Sequence, residues 1–152
     1  KGVAQLVAAV KDLHKKHLAL HLVVAGDGPL LESLKKEAPD YIHLIGRIDH
    51  PHVVALLKTA DIFCLPTRSE GFATSALEAV ACGVYLAISD VGGARELTEN
   101  FQQGMLLRDV RAETIAKAIE TALEMPETRK IAEENARQIV ETRFTWKNTA
   151  LA

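Results

Sequence analysis

A chain of 152 residues suits one domain and buries about two-thirds or more of the surface its unfolded form exposes, so a single core is expected. Hydrophobic residues make up 48% and charged ones 25%, and 18 basic against 20 acidic side chains leave a net charge of -2, which gives no field to attract nucleic acid or an anionic membrane. The longest clean apolar run, Ala79 to Ile88, is about ten residues and contains Gly83, half of what a bilayer span needs, and no secretory signal is visible, so a cytoplasmic setting is expected.

Strand-like and helix-like segments alternate along the chain, the pattern of βα units forming a Rossmann-like parallel sheet with helices on both faces. Val3, Leu6, Val7, Val10 and Leu13 recur at helical spacing, and Leu20 to Ala25 is a short strand run ending at Gly26. A helix at about Leu30 to Glu37 stops near Pro39. A strand at Ile42 to Ile45, a helix at about His52 to Ala60, a strand at Ile62 to Leu65 and a helix from about Phe72 to Cys82 follow. Next come a strand at Tyr85 to Ser89, a Gly92-Gly93 turn, a short helix around Ala94 to Thr98 and a strand at Met105 to Leu107. Helices at Ala112 to Glu124 and Glu127 to Thr142, separated by Pro126, close the pattern. Residues 1–152 therefore read as one domain. It opens directly on a helix, where an alternating chain normally has a strand first, and a first strand and further upstream sequence are expected to belong to it.

Chemistry concentrates in Pro66-Thr67-Arg68-Ser69-Glu70-Gly71-Phe72-Ala73-Thr74-Ser75-Ala76-Leu77-Glu78-Ala79. This stretch runs from the carboxyl end of a strand through a polar loop into a helix, where open parallel sheets bind ligands. Gly71 lets backbone approach a ligand, and the unpaired N–H groups of the helix's first turn can seat a diphosphate. Glu70 and Glu78 bracket that seat, about 12 Å apart if all eight intervening steps are helical. Carboxylates accept paired hydrogen bonds from vicinal hydroxyls, so a sugar at one and a ribose at the other is one reading. The plainer reading makes Glu70 a helix-start carboxylate favoured by the dipole and Glu78 a solvated surface residue. Thr74 lies one turn before Glu78 on the same face.

Ser69-Glu70-Gly71-Phe72 running into Leu77-Glu78-Ala79-Val80-Ala81-Cys82-Gly83 resembles the Glu-x7-Glu motif of group 1 (family 4) retaining glycosyltransferases of the GT-B fold. The likeness extends, in the family's order, through Ala25-Gly26-Asp27-Gly28-Pro29, Leu44-Ile45-Gly46-Arg47, Ala60-Asp61-Ile62, Ser89-Asp90-Val91-Gly92-Gly93-Ala94-Arg95-Glu96, Gly104-Met105-Leu106-Leu107 and Phe144-Thr145-Trp146. The resemblance implies the donor-binding, C-terminal half of such an enzyme, with the N-terminal acceptor domain absent. It implies that Glu70, the catalytic candidate, meets the hydroxyls of the donor sugar. Backbone at Gly71, Phe72, Ala73 and Thr74 would meet phosphate and sugar, Glu78 would hold the ribose, and Gly26 and Arg47 would border the donor on the base side. Lys1-Gly2 is similar to a Lys-Gly pair whose Lys helps clamp the diphosphate. Where the family commonly has Pro, this chain has Tyr85, and the role of that ring is left open.

The implied partners are a nucleotide-sugar, UDP- or GDP-linked, and the missing N-terminal domain; a peripheral membrane association of the full-length enzyme is left open. No cofactor or metal is expected, because no Asp-x-Asp occurs and the six histidines form no metal-ligand spacing. Gly26-x-Gly28 lacks the third glycine of a dinucleotide loop, Leu31 standing there. Cys64 and Cys82, far apart in apolar stretches, are expected to be buried reduced thiols. Two other readings compete: an epimerase using the same half-fold, and a noncatalytic nucleotide-binding module, the latter disfavoured by the presence of both glutamates.

Overall fold

The computed structural model describes residues 1–71, 73–100 and 102–143. The elements alternate as α1 (Val3–His14), β1 (Leu22–Ala25), α2 (Leu31–Glu37), β2 (Ile42–Gly46), α3 (His50–Leu57), β3 (Ile62–Leu65), α4 (Thr74–Ala81) and β4 (Tyr85–Ser89). A π-helical turn at Glu96–Asn100, β5 (Gly104–Leu107), α5 (Ala112–Glu124) and α6 (Pro126–Arg143) complete the order. All strand pairs are parallel. The Rossmann-like α/β class expected from the alternation is the observed one.

The strands fall into two sheets, a pair β1–β2 and a trio β3–β4–β5, so that among the described residues β1 and β3 each keep one edge without a partner strand. β4 sits in the middle of its trio, and all five of its residues are buried. β3 alternates between two cores. Ile62 and Cys64 pack against the first, built from Leu6, Val7, Val10 and Leu13 of α1, Ile42 and Leu44 of β2 and Ile115 and Ile119 of α5. Phe63 and Leu65 pack against the second, where Ala76, Ala79 and Val80 of α4 meet Leu86 and Ile88 of β4 and Leu97. This is the two-residue period of a strand with helices on either side.

Element ends shift where local bonds compete with periodicity. The first strand begins at Leu22 and not Leu20, because the Leu20 N–H donates to the His17 carbonyl (2.9 Å) and the Leu20 carbonyl lies 3.0 Å from His14 Nδ1. α3 starts two residues earlier than its apolar pattern suggests: Asp49 caps it, its carboxylate accepting from the His52 N–H at 3.2 Å, and Pro51 fits a first turn. It ends at Leu57, where Thr59 and Ala60 close tight bonds to Leu56 and Leu57. The short helix expected at Ala94 to Thr98 widens into the π turn, with Leu97 and Thr98 buried. α4 starts at Thr74 and ends at Ala81, with Cys82 as its C-cap, beyond which Gly83 takes φ +80, the left-handed turn that stops a helix.

Tyr85 opens β4 and is buried against Ala122 and Ala132 of the last two helices, at the amino end of the strand and not beside the loops that follow strand carboxyl ends. Both cysteines are free and half-buried as residues; the Cys64 side chain packs against the first core, and burial raises the pKa of both thiols. The closing Phe144-Thr145-Trp146 lies outside the described residues.

Candidate functional site

The loop after β3 is held from three sides. The Thr67 N–H donates to the Ser89 hydroxyl at 2.9 Å, and the Thr67 hydroxyl donates to the Ser69 carbonyl at 3.1 Å; both side chains are buried. The Gly2 N–H donates to the Pro66 carbonyl at 2.6 Å, which ties the start of α1 to the end of β3. The Gly93 N–H donates to the Gly71 carbonyl at 3.0 Å. At Gly92, with φ +55, a Cβ would stand 1.7 Å from the Gly71 oxygen and 2.5 Å from that of Glu70, so only glycine permits this approach. The glycine turn after β4 thus sets the position of Glu70, and a small pocket opens between Thr67, Glu70, Ala73, Ser89 and Gly93.

Glu70 is half-buried in this loop and faces the Lys1 ammonium at 3.7 Å. It stands four positions before the first residue of α4, so the eight-residue interval to Glu78 is helical only over its second half and the 12 Å axial estimate does not apply. Glu70 is accordingly not a first-turn carboxylate. Ala73 occupies the helix N-cap with extended backbone and no side chain able to accept, and the Thr74 and Ser75 N–H groups meet no acceptor among the described residues. Such a start presents free donors and the positive end of the helix dipole. Thr74 is exposed there, one turn before Glu78. Phe72 lies outside the described residues.

Glu78 is not a freely solvated surface residue either. Its Oε1 is 3.2 Å from Nε2 of His50, the first residue of α3. Arg47, exposed, stands just past the carboxyl end of β2, in the short connection that leads to His50. Gly26 donates its N–H to the Gly46 carbonyl at 2.7 Å, which closes the ends of β1 and β2 together. The structure therefore brings Lys1 to Glu70, and Glu78 to the segment after β2. It shows no direct contact between those two groups, nor from Gly26 or Arg47 to either glutamate. Among the described residues, no three His, Cys, Asp or Glu side chains gather where they could hold a metal ion.

Sequence reasoning missed Thr67, Ser89, Gly92 as a packing position, and His50. A hydroxyl residue at the end of each of two adjacent apolar strands was the available sign for the first two. His50 gave none, because its partner is 28 positions away.

A parallel α/β domain with an uncapped helix start at its strand ends and carboxylates on either side is the architecture of a GT-B glycosyltransferase domain. The chain belongs to the family of glycosyl transferases group 1, whose model matches residues 1–139. It is 34% identical over 98% of its length to an uncharacterized glycosyltransferase of Methanocaldococcus jannaschii, and 32% identical over its whole length to the glycogen synthase of Mycobacterium tuberculosis. It spans only 40% and 38% of those two proteins. Sucrose-phosphate synthase from Thermosynechococcus elongatus superposes with a TM-score of 0.83 at 28% identity, over 99% of this chain and 40% of that one. Anabaena HepE, solved in complex with UDP and glucose, superposes with a TM-score of 0.80 at 20% identity, over 97% of this chain and 42% of that one.

Proposed function

We propose that this chain is the donor-binding, C-terminal half of a retaining hexosyltransferase that moves sugar from a nucleoside diphosphate to a glycan or lipid-linked acceptor without a metal ion. The observation that carries this reading is the free start of α4, flanked by Glu70 with Lys1 on one side and Glu78 on the other. In it the diphosphate lies over the Thr74 and Ser75 N–H groups. Their fixed dipoles take up the charge that grows on the leaving phosphate, the task a divalent ion performs in other transferases. Glu70 accepts hydrogen bonds from the sugar's hydroxyls, and Lys1 then turns from Glu70 to the phosphate, where its charge stabilises the departing group. Glu78 accepts from the ribose. Arg47 and Gly26 stand on the base side.

The open edges of β1 and β3 support a further strand between them, supplied by sequence upstream of Lys1, since both strands pack on the same first core and exposed edges seek pairing. The acceptor pocket belongs to the N-terminal domain beyond it. A structural neighbour of the same fold holds UDP and glucose, which makes UDP-sugars the first donors to try. The test is calorimetry of the chain with UDP, GDP and ADP and their common sugar conjugates, with EDTA present. Binding of at least one of these is expected; no heat with any of them overturns the reading.

A further inference from the structure

The contact between His50 and Glu78 has no part in the donor reading above, and no motif announced it. His50 opens α3, but it does not join the other polar groups there. Asp49 is engaged by His52, whose N–H and ring Nδ1 both meet its carboxylate. His50 is left to reach across to α4, where its Nε2 stands 3.2 Å from Glu78 Oε1.

The pair does little for folding. The His50 side chain is 69% exposed and that of Glu78 31%, and ion pairs this open to water contribute little to stability. Its consequence is orientation. A glutamate has three rotatable bonds, and freezing them when a ligand arrives costs affinity. With its Nε2–H donating to one oxygen, His50 freezes them beforehand. A carboxylate has about four lone-pair sites, so Oε2 and part of Oε1 stay open to a pair of ribose hydroxyls.

We infer that His50 is a positioning residue that holds the Glu78 carboxylate toward the nucleotide's ribose and so sets how strongly the site distinguishes ribose from deoxyribose. The inference rests on the reading of Glu78 as the ribose acceptor. A group that merely braced α3 would affect all nucleotides alike, whereas one acting through Glu78 affects most strongly those that keep both ribose hydroxyls.

The experiment measures, by calorimetry, the affinity of the chain for UDP or GDP, whichever binds tighter, and for its 2′-deoxy form. Wild type, His50→Ala, His50→Gln and Glu78→Ala are compared. In wild type the ribonucleotide binds about tenfold tighter than the deoxynucleotide, the size of one hydrogen bond to a charged acceptor. His50→Ala reduces that ratio to about two- or threefold, weakening the deoxynucleotide, which keeps only the 3′-hydroxyl, less than the ribonucleotide, and His50→Gln, which keeps an N–H donor near the same place, restores most of it. If Glu78→Ala removes the discrimination while His50→Ala leaves it intact, or if His50→Ala weakens both ligands equally, the role of His50 is refuted and the ribose role of Glu78 stands. A ratio unchanged in Glu78→Ala, or no nucleotide binding by wild type, overturns the underlying reading and this inference with it.

Discussion

Glu78 touches a side chain of another helix and keeps about a third of its surface open, so its removal tests ligand binding more than folding. Glu78→Ala is expected to weaken nucleoside diphosphate binding by roughly 1 to 3 kcal/mol, since the ribose hydroxyls lose charged acceptors, while the unfolding midpoint stays within error of wild type. Equal affinity in the two proteins, measured by calorimetry, returns Glu78 to a surface role. A second expectation at this scale concerns Cys64, whose thiol points from β3 into the first core and is pushed up to about 12 by burial, from an ordinary 9.0. Above pH 9 the unfolded chain loses this proton and the folded chain keeps it, so stability is fully present below pH 9 and falls as pH rises toward 12. Urea unfolding at pH 8 and pH 10 should show that fall. Cys64→Ala should flatten it, leaving a smaller slope of the same sign from Cys82 and Tyr85, which burial also raises. The two glutamates stood out in the sequence as candidates because the residues around them carry a family pattern over nearly the whole chain. His50 was not legible, since a bond from α3 to α4 depends on how the two helices pack.

At the scale of elements, the glycine turn after β4 and the loop after β3 form one unit. Gly92→Ala adds a methyl where two carbonyl oxygens already stand and imposes a left-handed φ on a residue that resists it. It is expected to cost roughly 1 to 3 kcal/mol of stability and to displace Glu70, so that nucleotide-sugar binding falls more than binding of the bare diphosphate. Chemical denaturation beside calorimetry of both ligands separates the two effects, and a variant with wild-type values in each removes the turn from the site. α3 is a short helix with one side-chain cap, and Asp49→Ala should cost about 1 kcal/mol, a midpoint shift of about 2 to 4 °C in a domain of this size. Thermal unfolding checks it. The order of the elements, and their type apart from the π turn at Glu96–Asn100, were readable from hydrophobic period and turn residues. Their ends were not, because Asp49 and the turn at His17–Leu20 act through single bonds that periodicity does not register.

For the whole molecule, the proposed half-enzyme has a direct consequence: the chain binds donor without transferring sugar, since transfer needs an acceptor held in reacting geometry as well. Incubation with labelled donor and candidate acceptors in EDTA should give no product, while a longer protein carrying the upstream sequence turns over under the same conditions. Robust transfer by the chain alone, or a requirement for Mn²⁺ in the longer protein, contradicts the proposal. No helix among the described residues is long and apolar enough to cross a membrane. The amino-acid sequence by itself determined the α/β class and the order of its elements, and it singled out the segment from Pro66 to Ala79 to which the proposed chemistry is assigned, because period, turn residues and motif are properties of neighbours along the chain. Only the tertiary structure decided that the strands fall into two sheets with a core on either side of β3, that α4 begins at an uncapped Thr74, that Gly92 packs on the Glu70 loop and that His50 meets Glu78. Each of these depends on how closely distant segments approach, and that distance is fixed by the packing of the two cores rather than by any local preference.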